Sequence, residues 1–275
     1  MTVSYPVVAV LEAIERQACR DIVASAPAAW AARAGLRHQR LGAADLLLLA
    51  AAPIGHFNRL VGLGVEAPAS EAMLDTALAR FAAAGIEEFF IHLSPGAQPA
   101  ALPGWLAARG LVPHRRAWAK LWRDDSPPPP IPTTLRIAEV GPDRAGDFAL
   151  AACEGLGLPP TLRPWRAALV GRPGWRTYVA YDGSVPAASG ALYCRDGVGW
   201  LGVGATIAAY RRRGAQGALI SRRIADAIAA GCRDIVADTS EPAPGVPSPA
   251  YANMLRNGFR VVYSRPNYGR ARPPA

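Results

Sequence analysis

The chain has 275 residues, half of them apolar and a fifth charged, enough for one large domain or two of ordinary size with buried cores. Thirty Lys and Arg against 21 Asp and Glu give a formal charge of +9, which favours polyanionic partners such as a nucleotide coenzyme, nucleic acid or an anionic lipid surface. Nucleic acid is the weakest of these, because Lys120 is the only lysine and no basic run with interleaved aromatics occurs beyond "YRRRG" (Tyr210 to Gly214).

Ala43 to Gly55 ("AADLLLLAAAPIG") is the most apolar run; it contains Asp45, is too short to span a bilayer and reads as a buried strand and turn. No opening segment combines a basic start, an apolar run and a small-residue cleavage site, so a cytoplasmic protein is expected. Cys19, Cys153, Cys194 and Cys232 lie far apart and read as small buried hydrophobes rather than a disulfide or metal set. His38, His56, His92 and His114 all fall in the first half. A Ser-His-Asp or Cys-His mechanism confined to the second half is therefore excluded, and no metal site is expected there.

The first half reads as a strand in "LVGLGV", a helix in "SEAMLDTALARFAAAG" ending at Gly85, a strand in "IEEFFIHLSP", a helix in "LPGWLAARG" and a strand in "AWAKLWR". Asp124 to Thr134 ("DDSPPPPIPTT") is the clearest break, since consecutive prolines lack amide donors and favour stiff extended chain: a linker or a domain-crossing strap. The expected domains are therefore residues 1–124 and 134–275, with 125–133 as linker. The second half repeats the order of the first: strand "WLGVGA", helix "GALISRRIADAIAAG" ending at Gly231, strand "CRDIVADTS", a Pro-rich loop, helix "SPAYANMLRNG" and strand "FRVVYSR". From each helix-ending glycine to the next is 25 residues in one half (Gly85 to Gly110) and 27 in the other (Gly231 to Gly258), which argues for a duplicated domain. Ahead of its matched strand the second half adds a three-stranded meander with Asp-Gly turns at Asp182-Gly183 and Asp196-Gly197. The expected fold class is α/β in the α+β sense: mixed, mostly antiparallel sheets flanked by helices.

One segment carries chemistry. "VGATIAAYRRRGAQGALISRRIADAI" sets an Arg/Gly loop between a buried strand and an amphipathic helix. The unpaired amides and partial positive charge of a helix start suit a phosphate; Gly214 and Gly217 allow close approach, and Arg211, Arg212 and Arg213 add charge. No Gly-Lys-Ser/Thr and no G-x-G-x-x-G is present, so neither a Walker loop nor a dinucleotide fingerprint fits.

In this context "A-T-x-x-x-Y-R-x-R-G" followed by "A-L-I" resembles the acetyl-CoA signature of the GCN5-related N-acetyltransferase (GNAT) superfamily, Arg/Gln-x-x-Gly-x-Gly/Ala. Arg211 and Gly214 match it, and the last position is Gln216 instead of a small residue, with Gly217 and Ala218 beside it. The resemblance continues through "DTSEP" and "NMLRNGFRVVYSR" and covers Thr134 to Pro273; the first half resembles a degenerate copy, giving a tandem GNAT protein. It implies an acetyl-CoA-dependent N-acyltransferase in which an amine attacks the thioester directly. Pantetheine would pair with the backbone of Val203, Ala205 and Ile207, and pyrophosphate would rest on Arg211, Arg212, Arg213, Gly214, Ala215, Gln216, Gly217 and Ala218, with Asn253 a further coenzyme contact. A non-catalytic acyl-CoA-binding or sensing module is the alternative, and a basic nucleic-acid adaptor a third. Expected partners are a small-molecule or peptide amine and no membrane, in a monomer whose halves imitate a dimer or in a homodimer.

Base candidates are carboxylates: Asp238 and Glu241 at the end of the "CRDIVADTS" strand and Glu154 in the early helices. Trp165, Trp175 and Trp200 read first as core. The family often places a thiolate-protonating tyrosine four residues before the Gly of Gly-Phe. That position is Met254, so Tyr251 and then Tyr263 are the acid candidates. The first half, with "VEAPASEAM" in place of "YRRRGAQG" and with Glu66 and Glu71 in it, is expected not to bind coenzyme A.

Overall fold

A computed structural model describes residues 5–271 apart from 53, 115 and 244; the outermost ends of both expected domains lie outside the described residues. The first elements in chain order are α1 (Tyr5–Ala24), α2 (Ala28–Ala34), β1 (Leu36–Leu41), β2 (Ala44–Leu49), β3 (Arg59–Val61), α3 (Glu71–Ala83), β4 (Phe90–His92), α4 (Leu102–Ala108), β5 (Leu111–Pro113) and β6 (Trp118–Arg123). There follow β7 (Arg136–Glu139), α5 (Ala145–Gly155), α6 (Arg163–Ala167), β8 (Trp175–Asp182), β9 (Val185–Arg195), β10 (Val198–Thr206), α7 (Ala215–Ala229), β11 (Asp234–Ser240), α8 (Pro249–Arg256), β12 (Arg260–Arg265) and β13 (Asn267–Arg270).

The chain forms two compact units, each with a mixed sheet flanked by helices. The units do not follow the expected boundaries. Unit 1 takes Tyr263–Ala275 along with the first 119 residues less a short stretch, and unit 2 comprises Ser25–Pro27 and Lys120–Val262. The reason is strand pairing. Unit 1's sheet has the order β1-β2-β3-β4-β13-β5, so a strand from the far end of the chain fills its interior, with Tyr268 opposite Ile91 on one side and Pro113 on the other. The seven-stranded sheet has the order β12-β6-β11-β10-β9-β8-β7, so β6, the closing strand of the first repeat, lies between β12 and β11. A strand left with one bare edge is a liability; this exchange gives both sheets a fully paired centre.

Unit 1 packs α3 and α4 on its sheet through Leu74, Ala77, Phe81, Leu102 and Leu106, all under 1% exposed, and the Phe81 and Phe89 rings stack 4.4 Å apart. In unit 2, α7 buries Leu219, Ile220, Ile224 and Ala227 at helical spacing. Full burial of each of the three larger side chains is worth about 1.5–3 kcal/mol. Asp-Gly turns join β8 to β9 and β9 to β10, as their residues require: Asp196 and Gly197 both have positive φ, 50° and 76°.

The Pro-rich segment is docked along α7 rather than free. Ser221 Oγ donates to Pro129 O (2.9 Å), Ile131 lies against Gly217, Pro132 O sits over Gly214, and Thr133 Oγ1 donates to Arg213 O (2.7 Å). Prolines lack N–H donors but keep their carbonyls, and that of Pro129 accepts a hydrogen bond from α7.

Candidate functional site

β10 runs antiparallel to β9 and parallel to β11, and the two pairings end differently. Pairing with β11 stops at Leu201↔Ala237, although β10 continues to Thr206 and β11 to Ser240. The strands therefore part in mid-sheet. At the same level β10 bulges: Gly202 pairs with Ala191 and Ala205 with Ser189, so Val203 and Gly204 face Gly190 alone. Val203 has φ +51°, a left-handed backbone rare for a β-branched residue.

Side chains hold the carbonyls that the bulge takes out of the ladder. Arg223 Nη1 donates to Gly202 O (3.1 Å), Ser189 Oγ to Val203 O (3.1 Å), and Gln216 Nε2 to Ala205 O (2.6 Å) and Ser189 O (3.1 Å). Gln216, the residue that departs from the expected signature, thus turns its side chain onto the bulge.

Beyond β10 a single turn, Ala208–Tyr210, leads through Arg211 and Arg212 (φ +64°) to Gly214, the N-cap of α7 (φ +78°). No side chain caps this helix. Its first internal bond runs from Ala218 N–H to Gly214 O (3.0 Å), leaving the amides of Ala215, Gln216 and Gly217 at the tip. Two of the loop's features have partners within the chain. A side chain at Gly214 would stand 2.3 Å from Pro132 O and one at Gly217 2.7 Å from Ile131 Cγ2, so these glycines make room for the proline strap. Arg213 is engaged with Asp182 through two bonds of 2.7 and 2.9 Å, holding that carboxyl below the usual carboxylate range. Arg211 and Arg212 remain exposed beside the helix tip.

The carboxylates and tyrosines fall in different places. Asp238, a base candidate, is nearly buried, accepting from Trp200 Nε1 (3.1 Å) with Lys120 Nζ at 3.9 Å. Glu241 is half-buried just past the end of β11. Glu154 is exposed and paired with Arg163 (2.8 Å). Trp165, Trp175 and Trp200 are core residues, at most 7% exposed. Tyr251 is half-buried in the first turn of α8, whose N-terminus is capped by Ser248 Oγ, and Asn253 lies half-buried two residues on. Tyr263 lies instead in unit 1, donating to the buried Glu12 (2.6 Å); burial and the Glu12 carboxylate push its phenol far above the ordinary range. It is a structural donor and does not join the unit 2 site.

The matching place in unit 1 is built differently. Helix α3 is capped by its own Ser70, whose Oγ accepts from Met73 N–H (3.3 Å), and its first residue, Glu71, pairs with Arg109 (2.9 Å). Where α7 leaves amides free, α3 has a hydroxyl and a carboxylate. Sequence reading missed Ser189 and Arg223. Arg223 was legible from its spacing: four residues from Leu219 and from Ala227, it falls on the buried face of α7, whereas Arg222 falls on the exposed one.

No family model and no curated protein matches the chain. Solved structures do. A GCN5-related N-acetyltransferase from Kribbella flavida is similar over 93% of this chain and 96% of its own, at 19% identity and a TM-score of 0.59. A second, from Sphaerobacter thermophilus, covers 72% of this chain and 64% of its own at 18% identity, with a TM-score of 0.57. A tandem GNAT protein from the clavulanic acid biosynthesis pathway covers 82% and 77% at 17% identity, with a TM-score of 0.53. The chain has the GNAT fold in a tandem arrangement.

Proposed function

We propose that unit 2 binds acetyl-CoA and transfers its acetyl group to an amine by direct attack in a ternary complex. The observation that carries this reading is the uncapped tip of α7, placed directly after a bulged strand that parts from its neighbour. A phosphate suits the free amides of Ala215, Gln216 and Gly217, with Arg211 and Arg212 beside it. An extended amide-bearing arm suits the unpaired edge of β10 near Val203, Ala205 and Ile207. Holding thioester and amine together supplies most of the acceleration; a backbone amide facing the thioester oxygen supplies more. Tyr251 is the acid that returns a proton to the departing thiolate, and Glu241, half-buried just past the end of β11, is the carboxylate that takes one from the amine. Unit 1, with α3 capped and its tip acidic, binds no coenzyme.

Calorimetry with acetyl-CoA tests the reading: one molecule bound per chain is expected. Arg212→Asn, which removes charge at a left-handed position that Asn tolerates, weakens binding by about fivefold, the worth of an exposed charge-assisted contact. Two bound molecules, or unchanged affinity in Arg212→Asn and in Arg211→Ala, refute the phosphate assignment. An amine panel followed by free-thiol detection then separates turnover from binding alone.

A further inference from the structure

Arg223 is fully buried, and no carboxylate pairs with it among the described residues. Burial draws its pKa down to about 10, which leaves it cationic at neutral pH. A buried cation without a counter-ion is costly to keep, and this one is kept among backbone carbonyls: Nε donates to Leu219 O (3.0 Å), and Nη1 to Ala191 O and Gly202 O (3.1 Å each). Its Nη2 is buried without a hydrogen-bond partner. The room comes from glycine; a side chain at Gly190 would lie 2.8 Å from the guanidinium carbon, and one at Gly204 would lie 3.8 Å from Nη2. Gly190 faces the two bulge residues, so the cation sits directly beneath the distortion.

The bond to Gly202 O has a consequence one bond further along. The Gly202–Val203 peptide is trans, since the only cis bond among the described residues is Gln98–Pro99. Its N–H, that of Val203, therefore points away from the carbonyl that Arg223 holds. A charged donor on a peptide oxygen draws electron density from the nitrogen and makes the N–H on the other side a stronger donor. We infer that Arg223 is a positioning residue for acyl transfer: by holding and polarising the Gly202–Val203 peptide, it aims the Val203 N–H at the thioester carbonyl of bound acetyl-CoA and strengthens it as a donor. This rests on the acetyl-CoA reading of unit 2. Ser189 and Gln216 fix the two sides of the same bulge; neither brings a charge.

Isotope-edited infrared spectroscopy tests this without an acceptor amine. Acetyl-CoA labelled with carbon-13 at the acetyl carbonyl is bound to the full chain and its carbonyl band compared with that in solution. In the wild type the band moves to lower frequency. In Arg223→Met, which keeps side-chain volume and removes the charge, most of that displacement is lost while the dissociation constant stays within about threefold, because the phosphate contacts are untouched. A folded Arg223→Met protein that retains the wild-type band overturns the inference. Should Arg223→Met fail to fold, Arg223→Gln decides: it keeps one carbonyl bond without charge, and an undiminished displacement in it is equally fatal. If the wild type binds acetyl-CoA with no displacement, the coenzyme reading stands and the role of Arg223 falls. If the wild type binds none, both fall.

Discussion

Replacing Gly214 by alanine tests the contact between the proline strap and α7. Gly214 has φ +78°, and its new Cβ would stand 2.3 Å from Pro132 O, a backbone atom with no rotamer to escape into. A left-handed conformation costs a non-glycine residue about 1–2 kcal/mol. Relieving the clash moves the strap and strains the Thr133–Arg213 bond and the Ile131 contact on Gly217, a further loss of roughly 1–3 kcal/mol if that bond breaks in a buried setting. At about 2–4 °C per kcal/mol for a protein of this size, the melting temperature should fall by roughly 5–15 °C. Gly231→Ala supplies the control, since Gly231 has a similar φ of +83° and nothing within 4 Å of the added carbon. It should lose only the conformational part, about 1–2 kcal/mol. Scanning calorimetry on the two variants measures the strap contact by difference. Equal losses would refute the docking of the strap on α7.

Residues 134–275 expressed alone should aggregate because they lack β6, which lies between β12 and β11; residues 118–265 should run as a folded monomer on gel filtration and bind acetyl-CoA. The two tyrosines should separate cleanly. Tyr251→Phe lowers turnover at saturating acetyl-CoA by roughly a hundredfold, as loss of a positioned acid does, whereas Tyr263→Phe leaves turnover intact. The same Tyr263→Phe change lowers stability by about 1–3 kcal/mol, because the buried Glu12 loses a donor; denaturant melts and steady-state rates on both variants check the split. Asp182 has its folded pKa depressed by Arg213, so the pair's stabilisation is present above the ordinary carboxylate pKa of about 3.9 and fades as pH falls through the lower folded value. Thermal melts of wild type and Arg213→Gln should therefore differ by a constant interval from neutral pH to about pH 5 and converge in stronger acid.

What the sequence made legible was local. The meander could be read because Asp-Gly turns dictate their own backbone, and α7 because Leu219, Ile220, Ile224 and Ala227 recur at helical spacing. The strand exchange could not: alternating apolar residues in "AWAKLWR" serve a sheet equally well whichever strands flank it, and pairing partners far along the chain leave no mark on local pattern. The strap is a different case. A proline run lacks donors and reads equally as a linker or a domain-crossing strap; that Pro129 O accepts a hydrogen bond from α7 leaves no mark on the sequence. Gly214 and Gly217 mark positions where something comes close; the sequence does not say that the chain's own Pro132 and Ile131 do so.

The exchanged strands also set an order of events during synthesis. β4 and β5, which flank the interior position in unit 1's sheet, are complete once Pro113 has been made, but β13, the strand that joins them, ends at Arg270. At about 5–20 residues per second the ribosome needs roughly 8–30 s to cover that interval. For that time the nascent first half carries two unpaired edges, with Ile91 and Leu111 among the side chains that are fully or almost fully buried in the finished sheet. The half whose matching helix is capped by Ser70 is therefore the one that must be kept from sticking until the other has been translated, and a chaperone acting near the ribosome exit would find its target there.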